Sequence, residues 1–333
     1  MDKRVGHLPI LDGWRATSIL LVLAGHLVWL GPKSLQLNHV AGAAGMALFF
    51  TLSGFLIVSF LHQGTPVREF LVKRAARILP LCWLALAVLV TWQPYDVSTI
   101  LRNFLFVANL PPASLLEGGH HLWSLCVEMQ FYIVIALICL ILGRRGLYLV
   151  PVMALASTIA RIAAGETISI VTWHRIDEIL AGGTLALAYA HGLQTRIPLW
   201  VVALCLLASS HPDTGAFQYL RPYFAALLVG SSLTAAPRVI KTALTSRSMA
   251  YIAEISYALY VVHGIAAATW LGSGHGWERY FTTLPLLLAV TFLLAHVSTR
   301  YYEKPISRAA RVWIKRWRQA DQSSKRAVAK EGA

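Results

Sequence analysis

The sequence predicts an all-α, polytopic membrane protein: about ten transmembrane helices around a central cavity, with both termini cytoplasmic. Three observations carry that expectation. Of 333 residues, 57% are hydrophobic and only 13% charged, with a mean hydropathy of +0.60, whereas soluble domains carry about 25% charged residues. The apolar residues come in runs close to the 17–25 that roughly 30 Å of hydrocarbon requires, and no run alternates as a barrel strand would. The basic residues, finally, gather at alternate ends of those runs.

The spans fall at approximately 15–31, 40–62, 78–93, 122–142, 147–164, 176–191, 197–210, 220–236, 250–272 and 281–302. With the N-terminus in the cytoplasm, all 29 Lys and Arg lie on that side except Lys33, Arg102, Arg161, Arg175, Arg221 and Arg279. An even number of spans then returns the C-terminus to the same side. The formal net charge of +14 is therefore a topology signal, and no nucleic-acid partner is expected. The long connection 94–121 contains a moderately apolar stretch, Ile100–Leu110, which reads as an interfacial or re-entrant helix over the outer mouth. Residues 1–304 form one membrane domain without a Gly/Ser- or Pro-rich linker. In residues 305–333, Ile306, Ala310, Trp313 and Trp317 recur at helical spacing among arginines and lysines. That pattern fits a basic amphipathic helix on the anionic inner leaflet, with a disordered tail beyond Gln319. Cys82, Cys126, Cys139 and Cys205 sit inside apolar runs, without redox or zinc spacing, and read as small core residues.

The residues that could carry chemistry begin in the first span. Arg15 and His26 are eleven residues apart, so on one helix they share a face and stand about 16 Å apart along it. An ionisable group inside a span is costly unless it faces a polar cavity. By the same rise, His26 lies about 7 Å below the outer surface and Glu128 of the fourth span about 9 Å below it. The pair is either a base with its orienting carboxylate or a structural link between helices. On the cytoplasmic rim, Lys73, Arg74 and Arg77 read either as a topology anchor or as a clamp for phosphates; Arg15 lies at the same level. Charge alone favours the anchor. Ser53-Gly54-Phe55 in the second span lets either a helix or a ligand in the cavity approach closely, and taken alone it favours helix packing. Arg175, Asp177 and Glu178 open the sixth span, either as an ordinary helix start or facing the outer cavity. Tyr260 and His263 are further candidates, while His120 and His121 read as solvated rim residues. No spacing suits a metal.

These motifs, taken in order, resemble those of the membrane acyltransferase-3 family of bacterial O-acyltransferases. LDGWRATSILLVLAGH resembles its Arg-ten-residues-His signature through Arg15 and His26, and FFTLSGFLI its second-span motif. KRAARILP resembles its Arg-x-x-Arg motif through Arg74 and Arg77. HLWSLCVEMQFY, with Trp123, Ser124 and Glu128, is similar to WSLSVEEQFY; Cys126 and Met129 depart from it. RIDEILAGGTLA resembles the Arg-x-Asp segment, and ISYALYVVH followed by YYEKP the last two spans.

The resemblance implies a bacterial inner-membrane enzyme that takes an acyl group, usually acetyl, from cytoplasmic acyl-CoA to a hydroxyl of a cell-surface glycan. His26 would be the base and Glu128 its helper. Arg15, Arg74 and Arg77, with Lys73 beside them, would bind the donor, and Asp12 would support that end. Oligomeric state is left open. A proton-coupled carrier shares the many spans and buried ionisable groups, yet no inverted halves align here. A subunit passing acyl groups to a separate transferase is the other alternative.

Overall fold

The computed structural model describes residues 8–274 and 276–331, with side chains up to residue 320. Lys3 and Arg4 lie outside the described residues. Helices occupy all ten predicted stretches, and no strand occurs among the described residues. In order they are α1 (Pro9–Leu27), α2 (Leu37–His62), α3 (Val67–Val90), α4 (Val97–Phe104), α5 (Trp123–Leu142), α6 (Val150–Ala164) and α7 (Asp177–Ala190). There follow α8 (Leu199–Ser209), α9 (Arg221–Ala235), α10 (Arg238–Leu244) and α11 (Arg247–Ala267). A single turn, α12 (Gly276–Glu278), runs through a π-helical segment, Arg279–Thr283, into α13 (Leu284–Ser298). A second π segment, Thr299–Glu303, leads into α14 (Lys304–Glu331).

Four helical runs among the described residues are long and apolar enough to cross a membrane: Lys33–His62, His120–Ala164, Arg247–Ala267 and Gly276–Ala320. A fifth counts if Pro212–Ala235 and Arg238–Leu244, bent by 109°, are taken together. Length and composition thus support four or five crossings. The 11 residues of α8 rise only about 16 Å, half the hydrocarbon thickness.

The bundle is organised on α2, whose apolar window is 83% buried. Its contact with α7 is backbone on backbone. A Cβ on Gly54 would meet Ile179 O at 1.8 Å, and one on Gly182 would meet Thr51 O at 1.9 Å. Only glycine at both positions lets the helices approach this closely. Gly54 is therefore a packing residue. Phe55, fully buried and edge-on to Tyr189 at 6.0 Å, belongs to the same contact rather than to a cavity wall. The beginning of α1 is favoured by Pro9 in its first turn and by Asp12 near its positive end. At its other end, the amide of Asn38 donates to Gly25 O (3.0 Å) and Ala24 O (3.3 Å), satisfying carbonyls the helix leaves free.

The connection 94–121 does carry a helix, α4, capped where Asp96 accepts from Thr99 N at 3.0 Å. The bonds from Thr99 hold the Asp96 carboxyl below the usual carboxylate range. Val97, Leu101 and Leu105 are exposed while Asn103 is buried on Ser114 O at 2.7 Å. That one-sided pattern suits an interfacial helix.

Downstream, the helix of α14 continues through Glu331, where a disordered tail was expected from Gln319 on. It is also docked on α3. Arg318 pairs with Glu69, the Arg68 guanidinium lies 3.5 Å over the Trp317 ring, and Trp313 stacks on Trp317 at 5.9 Å. Burial would raise the Glu69 carboxyl, but the hydrogen bond and charge of Lys73, together with Arg318, carry it below its ordinary value.

Candidate active site

Two polar regions lie at opposite ends of α1. At its His26 end, a cavity of about 400 Å³ is lined by His26, Asn38, His39, His121, Arg175 and Tyr260, among others. His26 is exposed into this space rather than packed among apolar side chains. Its Nδ1 lies 3.0 Å from His263 Nε2, and the two rings stack with centroids 5.2 Å apart and planes within 8°. His263 Nδ1 is 2.7 Å from Tyr260 O.

These bonds fix the ring protons. A carbonyl oxygen only accepts, so His263 Nδ1–H donates to Tyr260 O. The neutral His263 then has a lone pair at Nε2, which accepts from His26 Nδ1–H. The His26 Nε2 lone pair is left without a partner among the described residues, in a ring that faces the cavity. That is the arrangement a general base needs: one nitrogen fixed by a partner, the other free to take a proton.

His263 thus holds the place expected for Glu128. The two carry sequence positions 237 apart, and no spacing rule links them. Glu128 instead accepts hydrogen bonds from Ser53 and Tyr132. It lines a small cavity of about 40 Å³ with Arg15, Arg74 and Arg77. The predicted Glu128–His26 pairing is therefore corrected: Glu128 lies one turn too far along α5, at the level of the arginines rather than of His26. One turn earlier on α5, Ser124 Oγ does reach the histidine end, 2.5 Å from the Tyr260 hydroxyl. His121 also departs from expectation. It is buried, its ring centroid 4.6 Å from that of His263 and its Nε2 3.1 Å from Val261 O.

Arg175 is buried at the cavity wall, 5.4 Å from the Trp123 ring centroid. Behind it lies an ionic cluster: Asp177 pairs with Arg161, and Glu178 with Arg221 at 2.9 Å. Arg175 Nη1 is 3.3 Å from Glu178 Oε1, and Arg175 Nε has no hydrogen-bond partner. Arg161 and Arg221, expected at an outer rim, are fully buried here. Asp177 therefore supports Arg161, while Arg175 faces the cavity.

At the other end of α1, Arg15, Arg74 and Arg77 converge, with Lys73 paired to Glu69 at 2.6 Å and Asp12 3.8 Å from Arg15. Arg74 also lies 5.7 Å from the Tyr132 ring centroid. Between the two ends, Phe49 of the small cavity stacks on Tyr260 of the large one at 5.7 Å. Phe49, Tyr132, Asn38 and His39 escaped the sequence reading. An aromatic inside an apolar run looks like core, and nothing in the run marks Phe49 as a partition.

An all-helical protein with several membrane-long helices, cations grouped at one end and a partnered imidazole at the other is an integral membrane protein with the architecture of an enzyme. More narrowly, the chain belongs to the acyltransferase-3 family, whose acyltransferase domain matches residues 8–300. It is 33% identical over 192 residues to the exopolysaccharide production protein ExoZ of Rhizobium meliloti, covering 52% of this chain and 58% of ExoZ. Against the peptidoglycan O-acetyltransferase OatA of Listeria monocytogenes it is 28% identical over 152 residues, 38% of this chain and 23% of OatA. With nodulation protein 10 of Rhizobium leguminosarum bv. viciae it shares 26% over 289 residues, 71% of this chain and 75% of that protein. The alignments thus span about a quarter of OatA and little more than half of ExoZ. No solved structure matches the chain. Family membership removes the ground for the carrier considered above.

Proposed function

We propose that this protein is an O-acyltransferase of the bacterial inner membrane. It moves an acyl group, acetyl in the first instance, from cytoplasmic acyl-CoA to a hydroxyl of a cell-surface or exported glycan. The names of OatA and ExoZ support a glycan acceptor. In this reading all ten predicted stretches cross or partly cross the membrane, and both termini are cytoplasmic. Arg15, Arg74 and Arg77 meet the phosphates of the donor, and the pantetheine arm runs beside α1 toward His26, about 16 Å away. The arm must displace the Phe49–Tyr260 stack to arrive.

The chemistry then follows from the ring protons. His26 Nε2 takes the proton of the acceptor hydroxyl while that oxygen attacks the thioester carbonyl. The C–S bond breaks, and the CoA sulfur leaves with the proton returned by the imidazolium. His26 Nδ1–H stays on His263 throughout, which holds the ring and spreads the transient charge. Arg175 stands at the cavity wall, where its unpartnered Nε can stabilise developing negative charge.

The observation that carries this reading is the free Nε2 of a histidine whose other nitrogen is already committed. Its test is reconstituted protein with labelled acetyl-CoA and a glycan acceptor, in the absence of other proteins. Label should appear on the glycan, with CoA thiol released in equal amount. Label trapped on the protein in the absence of acceptor would replace direct transfer with a covalent acyl-enzyme. Transfer that requires a second protein would make this chain the acyl-shuttling subunit.

A further inference from the structure

The cation-rich mouth is not closed by the family domain alone. Two cavities open there, of about 370 and 500 Å³, each within the roughly 300–1,000 Å³ usual for small-molecule sites. They share Arg77, Ser307 and Arg311. The first is completed by Lys73 and Arg74 of α3, the second by Arg15, Lys304 and Arg308. Four of these residues, Lys304, Ser307, Arg308 and Arg311, belong to α14, beyond residue 300 where the family match ends.

The position of α14 is set by contacts that leave Ser307, Arg308 and Arg311 of its cavity face without an ion pair among the described residues. Arg318 is spent on Glu69, and Lys304 on Glu254. Ile314 is buried, and the Trp313–Trp317 stack is held under Arg68. Ser307 and Arg311, one turn apart, both border the mouth. Among the described residues Arg74, Arg77, Arg308 and Arg311 form no ion pair. Of the carboxylates lining the second cavity, Asp12 lies beside Arg15 and Glu254 is paired with Lys304, whereas Glu303 is bonded only to the Ser298 and Thr299 hydroxyls and keeps its charge near Arg77. Seven cations and three carboxylates line the two cavities, and that excess of positive charge suits a ligand carrying several negative charges. Arg74 and Arg77 also line the narrow cavity that leads inward, so they suit the part of the ligand nearest the reactive arm. Arg311 and Arg308 lie on the far wall and suit a separate charge.

We propose that α14 is the outer wall of the donor site, with Arg311 and Ser307, helped by Arg308, holding the 3′-phosphate of CoA while Arg74 and Arg77 hold its diphosphate. This rests on acyl-CoA being the donor. It assigns a binding role to a segment that otherwise reads as a membrane-surface helix, for which anionic lipid headgroups would be the competing source of phosphate.

The test measures binding of acetyl-CoA and of its 3′-dephospho analogue to full-length protein in neutral detergent. Wild type should favour acetyl-CoA by about tenfold or more, the usual scale of a charge-assisted phosphate contact. Arg311→Ala should abolish that preference and leave the affinity for the dephospho analogue unchanged. Ser307→Ala, a smaller change on the same face, should reduce the preference without abolishing it. If Arg311→Ala keeps the wild-type preference, or weakens both ligands equally, the proposal is overturned. If Arg311→Ala lowers only binding to vesicles containing anionic phospholipid, α14 is a lipid anchor and the proposal is again overturned. Failure of wild type to bind either ligand would instead sink the acyl-CoA reading itself.

Discussion

The two ends of α1 are built on opposite principles. At the histidine end a chain of side chains is committed: His26 to His263, His263 to Tyr260 O, Tyr260 to Ser124 and to His121 O, His121 to Val261 O. Within this chain the His26 Nε2 lone pair is left over, with the unpartnered Arg175 Nε across the cavity. At the cation end the reverse holds: among the described residues Arg74, Arg77, Arg308 and Arg311 line open cavities without forming a salt bridge, and cations there outnumber the Asp12, Glu254 and Glu303 carboxylates. A site that performs a proton transfer gains from fixed geometry, because misplacement of reacting atoms by an ångström can cost about a hundredfold. A site that captures a polyanion gains from charge left unneutralised until the ligand arrives. In the function proposed here, the contrast would separate where binding energy is collected from where it is used.

Substitutions that touch one end and spare the other are the means of breaking this division. The largest effect is expected from His26→Ala. Acyl transfer should fall by on the order of 10²–10⁴-fold, the usual contribution of a general base, while acetyl-CoA binding stays at the wild-type value. Next, Arg74→Ala combined with Arg77→Ala should weaken acetyl-CoA binding by about 10–100-fold, as expected for lost charge-assisted contacts. The pH profile of whatever transfer remains should not move. Third, His263→Ala should lower kcat by about 10–100-fold, leave the KM for acetyl-CoA nearly unchanged, and shift the pH dependence of transfer. His263→Gln, whose carbonyl can still accept from His26 Nδ1–H, should recover part of the loss; a variant without any such recovery would reduce His263 to a packing residue.

The smallest effect concerns Glu69, which ties α14 to α3. Its folded-state value is depressed, so its stabilising contribution is complete above the ordinary glutamate range and is lost as pH falls through the lowered value. Arg318 is half exposed, so the contribution is on the order of 1 kcal/mol or less. Tryptophan fluorescence from Trp313 and Trp317 should report loosening of α14 only on acidification, and Glu69→Gln should remove that transition.

Much of the helical plan could be read directly, because apolar runs, glycine spacing and basic caps are local signals. Arg15, Arg74 and Arg77 were legible as a group for the same reason: one membrane level, one sign of charge. Who faces whom was not. Counting residues puts Glu128 at the depth of His26, yet the structure seats it with Ser53, Tyr132 and the arginines at the other end of α1. His263 reaches His26 only because α11 packs beside α1, a tertiary fact without a sequence period. Likewise, the amphipathic pattern of residues 306–317 announces a helix with one apolar face. Whether that face meets lipid or α3 was decided by Arg68, Glu69 and their partners far along the chain.

The central claim is that a donor seated among the arginines presents its thioester to His26. It is tested most directly by an experimental structure of the protein with a non-hydrolysable acyl-CoA analogue. The account predicts phosphates on Arg74 and Arg77, the Phe49–Tyr260 stack opened, and the acyl carbonyl within about 4 Å of the space facing His26 Nε2, close enough for an acceptor oxygen to bridge them. A bound analogue whose acyl end stays on the arginine side of an unbroken Phe49–Tyr260 stack would contradict it.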